Sequence, residues 1–385
     1  MYYWIINIGL VFFLCMFFAW ILIPNILLIA FRKKLFDLPD ERKIHHGMIP
    51  RLGGLAFNPA IFFSISLLLG LDFILGEPDI LKQEGSNVPE LLFGFCASTI
   101  LYLVGIADDL IGVRYRTKFI IQILCGVILI AGGVWINNLY GICGIYGLSE
   151  WVGYPLTILV IVFVINSINL IDGIDGLASG LSGAALLFYG LIYIYLEQWL
   201  FAMLAFAALG ALIPFFYYNV FGNVNHGKKI FMGDTGSLTI GIILCILSIK
   251  ILNQPVDIAA SFNPAVLAFA PLIIPCFDVM RVFISRIRMK KHPFMPDKSH
   301  IHHKLLAAGI CQRAAMIIII SVSLIFTLYN IILSQYVDVS LLLIINIILW
   351  MLGNMWLAFK IKRHELKLSI VETDNNLKKQ SIYKL

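Results

Sequence analysis

The sequence predicts an all-α polytopic integral membrane protein of about 11 transmembrane helices, with the N-terminus outside and the C-terminus in the cytoplasm. Three observations lead there. Of 385 residues, 60% are hydrophobic and 13% charged, whereas charged residues make up about a quarter of an ordinary soluble chain. The apolar residues gather in runs of about 17 to 25, the length that crosses a bilayer as a helix. The basic residues fall on one side of the alternating connections, as cytoplasmic loops require.

The opening stretch, MYYWIINIGL, lacks a basic leader and runs straight into a long apolar segment, so it reads as a retained helix rather than a signal peptide. The apolar runs then place helices near 5–31, 53–75, 91–107, 119–136, 154–171, 178–196, 199–218, 237–252, 264–284, 314–334 and 338–359. Only Glu197, Gln198 and Trp199 separate the sixth from the seventh. With the first connection cytoplasmic, all of the 28 Lys and Arg except Lys82 and Lys250 fall inside. Merging the sixth and seventh helices would put the basic cluster at 281–313 outside, so the charges favour two helices there. The outer connection 76–90 is acidic, with Glu77, Asp79, Glu84 and Glu90.

Residues 1–359 read as a single transmembrane catalytic domain, followed by a polar cytoplasmic tail at 360–385 that frays or lies along the anionic inner leaflet. The formal charge of +6 argues for nucleic-acid binding only where basic residues gather on a soluble domain, and no stretch is large enough to be one. Seven Cys, five of them (Cys15, Cys96, Cys125, Cys245, Cys276) inside apolar runs, form no CxxC pattern and no disulfide framework.

Every unusual polar cluster then falls on the cytoplasmic side. The segment Asp37–Gly54, DLPDERKIHHGMIPRLGG, is a basic loop with Lys43, His45, His46 and Arg51. It suits an anionic headgroup or a sugar nucleotide, and its paired glycines allow a backbone to approach closely. The plain alternative is a positive-inside loop with a turn. Asp108 and Asp109 end the third helix and point in different directions, so one can lie near a metal and the other near a nucleophile. Arg114, Arg116 and Lys118 follow and supply charge for phosphates.

Asn166–Gly180, NSINLIDGIDGLASG, spaces Asn166, Asn169, Asp172 and Asp175 every third residue. Each such step rotates a helix by about −60°, so neighbouring pairs share a face while Asn166 and Asp175 do not. Carboxylates at the end of a bilayer-crossing run are costly unless they pair, meet water or hold a cation. The segment therefore reads as a metal and phosphate site at the membrane surface, against solvated Asp residues at a helix end.

In Phe231–Gly241, FMGDTGSLTIG, Asp234 lies between glycines where the eighth helix starts. It suits either a magnesium ligand or a helix cap. Between the ninth and tenth helices come Asp278, Arg281, Arg286 and Arg288, then Asp297, His300, His302 and His303. The histidine spacing fits no structural zinc pattern. Imidazoles among arginines suit donors to a diphosphate or acid/base groups.

As a set, DxPxERKxH…PRxGG, the Asp108–Asp109 pair, NxxNxxDGxDGLA, FxGDTGS and HxHH occur in that order along nearly the whole chain. The chain thus resembles the polyprenyl-phosphate N-acetylhexosamine-1-phosphate transferases (glycosyltransferase family 4). It is most similar to the bacterial branch acting on undecaprenyl phosphate and UDP-N-acetylglucosamine at the start of O-antigen, enterobacterial-common-antigen or teichoic-acid linkage synthesis. His300–His303, HIHH, looks like that branch, whereas related translocases of phospho-N-acetylmuramoyl-pentapeptide carry three successive histidines.

The resemblance implies a bacterial inner (plasma) membrane enzyme with its active site on the cytoplasmic face. It implies Mg2+ (Mn2+ can substitute) bound by Asn169 and Asp234, and Asp108 and Asp109 near the reacting phosphates. Asp172 and Asp175 would lie in the nucleotide and metal region, with Lys118, His300, His302 and His303 on phosphate. Lys43, His45, Arg51 and Arg281 complete the expected substrate contacts. The partners implied are undecaprenyl phosphate, a UDP-N-acetylhexosamine and membrane lipids, and homodimers are common among relatives. The expected reaction is attack of the prenyl phosphate on the β-phosphorus of the UDP-sugar, with UMP leaving. Rival readings are the same reaction on another UDP-N-acetylated sugar, or a transporter. Against the transporter, the acids gather at one face rather than the midplane and no broken-helix pair recurs in matching halves.

Overall fold

In the computed structural model, which describes residues 2–35, 49–75, 85, 87–253, 262–290 and 299–382, helices form where the apolar runs lie. In chain order they are α1 (Tyr2–Lys33), α2 (Phe57–Ile74, entered through a 3-10 turn at Gly53–Ala56), α3 (Val88–Ile111) and α4 (Tyr115–Ala131). A hairpin of β1 (Asn138–Ile142) and β2 (Ile145–Gly147) follows. Then come α5 (Glu150–Ile171), α6 (Leu177–Tyr195), α7 (Trp199–Phe221) and α8 (Gly233–Leu252). The chain closes with α9 (Pro264–Phe269), α10 (Ile273–Arg288), the short α11 (Ile301–Ala307), α12 (Gln312–Leu333) and α13 (Val339–Ile382).

Among the described residues, ten helices are long and apolar enough to cross a membrane, α9 and α10 counting as one continuous span. Each of the eleven expected segments is helical; the remaining one, α4, has 17 residues. The sixth and seventh segments are separate helices, parted at Glu197, whose φ of 55° ends α6.

Two details go beyond the expected helices. The bundle is all-helical, with one short hairpin between α4 and α5, where β1 and β2 pair antiparallel across a turn carrying positive φ at Gly141, Cys143 and Gly144. Ser340 ties that turn to the start of α13, accepting from the Cys143 amide at 2.9 Å and donating to the Gly141 carbonyl at 3.0 Å. The last helix also does not stop near 359. No Gly or Pro follows Gly353, so nothing in the local sequence breaks the helix before Ile382.

α8 is the axis of the bundle. It is apolar on all sides, and every residue from Thr235 to Leu252 is buried, as a helix without a polar face must be. α2, α3, α5, α6, α7 and α9 surround it. α1, α12 and α13 sit at the periphery with most of their surface uncovered. Two carboxylates find partners at the end away from the candidate site. Asp72 accepts from Tyr3 at 2.5 Å and Asn7 at 2.9 Å, and Glu90 meets Lys250 at 2.6 Å. Because successive helices run in opposite directions, the C-terminal ends of α3, α5, α7 and α10 meet the N-terminal ends of α4, α6 and α8 at the other end.

Candidate active site

Glycine backbones seat the N-terminus of α8. The Gly53 and Gly54 amides donate to the Phe231 and Met232 carbonyls at 2.9 Å, and the Phe231 amide donates to Pro50 at 2.9 Å. A Cβ on Gly54 would stand 2.0 Å from the Gly236 nitrogen, and one on Gly105 of α3 would stand 2.4 Å from the Thr235 Cα. The backbone that the paired glycines admit is therefore the start of α8.

Asp109 completes that seat. One of its oxygens accepts from the Asp234 amide at 2.8 Å, and the other from the Thr235 amide at 2.9 Å and the Thr235 hydroxyl at 2.6 Å. A carboxylate against the free amides of a helix N-terminus is stabilised by those amides and by the helix dipole. Asp108, one residue earlier, points elsewhere, as adjacent helical positions must. It accepts from the Val113 amide at 2.6 Å and from the Lys118 ammonium at 2.5 Å.

The same Lys118 ammonium contacts Asp234. Asn169 of α5 donates to the other oxygen of Asp234 at 3.1 Å and to Ser237 at 2.8 Å. Thus Asp108, Lys118, Asn169 and Asp234, from four helices, form one connected cluster. Asn166 stands outside it, bonded across to Gln122 of α4 at 2.7 Å. Asp234 does not cap its own helix with its side chain; Asp109 does so from α3.

α5 ends at Asp172, and the loop to α6 turns through Gly176 at φ +76°. Asn219 of α7 holds the loop, accepting from the Gly176 amide at 2.6 Å and donating to the Ile230 carbonyl at 2.8 Å. Asp175 pairs with Lys229 at 2.5 Å. The Asp172 carboxyl is pushed up to about 7, first by enclosure in protein, then by the charges of Asp234, Asp175 and Asp109, with Arg51 pulling the other way. Asp172 also meets solvent, and there the crowding of negative charge from Asp234, Asp175 and Asp109 still favours its protonated form.

The histidine segment reaches this loop from the opposite side. His302 is buried, and a Cβ on Gly173 would fall 2.1 Å from its Nε2, so only glycine leaves room for the ring. His302 lies parallel to His300 at 5.8 Å between ring centres and close to His303 at 4.2 Å. His300 is anchored by Asp278, whose carboxylate meets His300 Nδ1 at 2.8 Å and accepts from Arg281 at 2.8 Å and from the Ile301 amide at 3.0 Å. Arg281 also donates to the Ser299 carbonyl at 2.5 Å.

Of the expected site residues, Lys43 and His45 lie outside the described residues. Asp108, Lys118, Asn169 and Asp234 meet directly, with Asp109 beneath them and the Arg51 and Asp172 charges within reach. Asp175 is tied to Lys229, and His300, His302, His303 and Arg281 approach through Gly173 and Asp278. Lys229, Asn219 and Asp278 were not assigned these partners from sequence. The Lys228–Lys229 pair just before FMGDTGS, and the helical i, i+3 spacing of Asp278 and Arg281, were the available signals.

The fold and this arrangement define a polytopic membrane protein with an acidic, lysine-bridged site at one end of its bundle. A family model, described as Glycosyl transferase family 4, matches residues 91–252. Similar proteins include the "Probable undecaprenyl-phosphate N-acetylglucosaminyl 1-phosphate transferase" of Bacillus subtilis (strain 168), 32% identical over 337 residues and 86% of each chain. The undecaprenyl-phosphate alpha-N-acetylglucosaminyl 1-phosphate transferase of Salmonella typhi is 30% identical over 295 residues, 76% of this chain and 74% of the relative. That of Escherichia coli (strain K12) is 29% identical over the same lengths. The chain belongs to glycosyl transferase family 4, in its branch of undecaprenyl-phosphate N-acetylglucosamine-1-phosphate transferases.

Proposed function

We propose that the chain transfers N-acetylglucosamine-1-phosphate from UDP-N-acetylglucosamine to undecaprenyl phosphate. UMP is released, and the product is a lipid-linked diphosphate sugar that initiates a cell-envelope polysaccharide. The observation that carries this reading is the Lys118 ammonium shared by Asp108 and Asp234, with Asn169 on the far oxygen of Asp234, in a chain whose relatives bear that name.

An oxygen of the prenyl phosphate attacks the β-phosphorus of the nucleotide sugar, a P–O bond forms, and the P–O bond to UMP breaks. Such a reaction requires in-line placement and charge neutralisation more than covalent help. Lys118 supplies positive charge to the phosphates. Asp108 orients the acceptor phosphate or takes its proton, and Asp109 holds the amide end of α8 in place. Arg51, His300, His302, His303 and Arg281 serve the nucleotide sugar, together with Lys43 and His45.

The residues fit a magnesium ion. Among those described, no group of three His, Cys, Asp or Glu is arranged to cage a metal, but magnesium needs only one or two carboxylates, completed by phosphate oxygens and water. Asn169 and Asp234 would hold it, with Mn2+ as a substitute, and there it would neutralise charge on the diphosphate. The crowding of acids that raises Asp172 suits a site that receives a cation. The Lys and Arg distribution supports a cytoplasmic site and an outer N-terminus in the plasma membrane, and a homodimer belongs to the same proposal.

The test is UMP release by purified protein in detergent with undecaprenyl phosphate, magnesium and a panel of UDP-sugars, repeated for Asp234→Ala. UMP from UDP-N-acetylglucosamine alone, lost with chelator and lowered on the order of a hundredfold or more in the variant, is the expected outcome. UMP from a different N-acetylated sugar would keep the reaction and change the substrate. No UMP with any sugar would overturn it.

A further inference from the structure

Asp278 lies inside α10, is fully buried and makes no direct bond to Asp108, Lys118, Asn169 or Asp234. Its carboxylate nonetheless has three polar partners. One oxygen accepts from Arg281 at 2.8 Å and from the Ile301 amide, the first amide of α11, at 3.0 Å. The other faces His300 Nδ1 at 2.8 Å. Arg281 extends the anchor by donating to the carbonyl of Ser299 at 2.5 Å. Residues 299–301 are thus drawn onto α10 from three directions, just after the undescribed stretch 291–298.

We infer that Asp278 is a positioning residue for the proposed reaction, holding His300 as the Nδ1–H tautomer and seating the N-terminus of the histidine helix against the site. This rests on the proposed transferase reading. The reasoning is one of donor and acceptor roles. A carboxylate that already receives a guanidinium and a backbone amide is acceptor-only, so the His300 ring must present its proton at Nδ1. That leaves Nε2 as the nitrogen with a free lone pair, or as the second N–H when the ring is charged. His302, whose ring lies 5° from parallel to that of His300 with centres 5.8 Å apart, follows on the same short helix, and its Nε2 fills the space beside Gly173.

Asp278→Asn separates the two duties. Its amide oxygen can still accept from Arg281 and the Ile301 amide, preserving the helix seat, while its NH2 faces His300 Nδ1. The His300 proton is then driven to Nε2. In full-length protein in detergent, UMP release and thermal melting are measured for wild type, Asp278→Asn, His300→Gln and the double variant. The 15N-histidine spectrum of the wild type is recorded beside them, with the His300 signal identified by its loss in His300→Gln.

The expected result is a kcat lowered on the order of tenfold or more in Asp278→Asn, with KM for the UDP-sugar and the melting midpoint nearly unchanged. In the His300→Gln background, Asp278→Asn should cost nothing further, and the wild-type His300 signal should show the proton on Nδ1. Losses that multiply in the double variant, unchanged kcat in Asp278→Asn, or a wild-type His300 protonated on Nε2 alone would each overturn the inference. A wild type that releases no UMP would remove the proposed reaction, and the His300 spectrum would still decide the tautomer. If Asp278→Asn does not fold, that spectrum decides it as well.

Discussion

The His302 ring is enclosed among groups that resist its protonation. Burial comes first, followed by the charges of His303 and His300, with Asp278 opposing, and together they hold its pKa at about 3. In the unfolded chain a histidine titrates near 6.5. Acid therefore loads a proton onto the unfolded state before the folded one, so the stability present above about pH 6.5 is lost as the pH falls toward 3. Between about pH 7.5 and about pH 4.5 the wild type should lose about 2–3 kcal/mol relative to His302→Gln, read as a steeper fall of its melting midpoint in detergent. Parallel curves for the two proteins would show that the ring titrates normally. The HIHH spacing made these histidines visible as a set, but His302 differs from His300 because one packs beside Gly173 and the other bonds Asp278.

α8 carries Asp234, and its placement depends on backbone contacts that tolerate no Cβ. Gly105→Ala would put a methyl group 2.4 Å from the Thr235 Cα and 2.7 Å from its nitrogen, and neither is the movable end of a side chain. The expected cost is about 2–3 kcal/mol of stability, with loss of UMP release as the Asp109 cap and Lys118 bridge are pried apart. Gly70→Ala in α2, where nothing lies within 4 Å, should leave both unchanged and serves as the control. A Gly105→Ala protein with wild-type melting and activity would mean that α8 can shift without consequence. The glycine pair at 53–54 shows in sequence that a backbone can approach there; that the backbone is α8 itself depends on residues about 180 positions apart.

For the molecule as a whole, the native thiols report the proposed orientation. Cys143 is exposed in the β1–β2 turn and Cys311 is exposed at the start of α12, at opposite ends of the bundle. In intact cells, a membrane-impermeant thiol reagent should label Cys143 from outside and reach Cys311 only after the membrane is opened. The reverse order would invert the topology and place the acidic cluster on the outer face.

Sequence alone determined the membrane class, the approximate positions of the helices and most of the residues that gather at the candidate site. Apolar run length, residue spacing and the sidedness of Lys and Arg are local properties that a linear chain displays. Tertiary structure decided what each polar group does. Asp109 became the cap of α8 while its neighbour Asp108 met Lys118, Asn166 turned to Gln122 while Asn169 met Asp234, and Asp175 and His300 took Lys229 and Asp278 as partners. Side-chain direction around a helix separates adjacent carboxylates, and the donors that claim them mostly come from other helices, so these assignments appear only once the helices are packed.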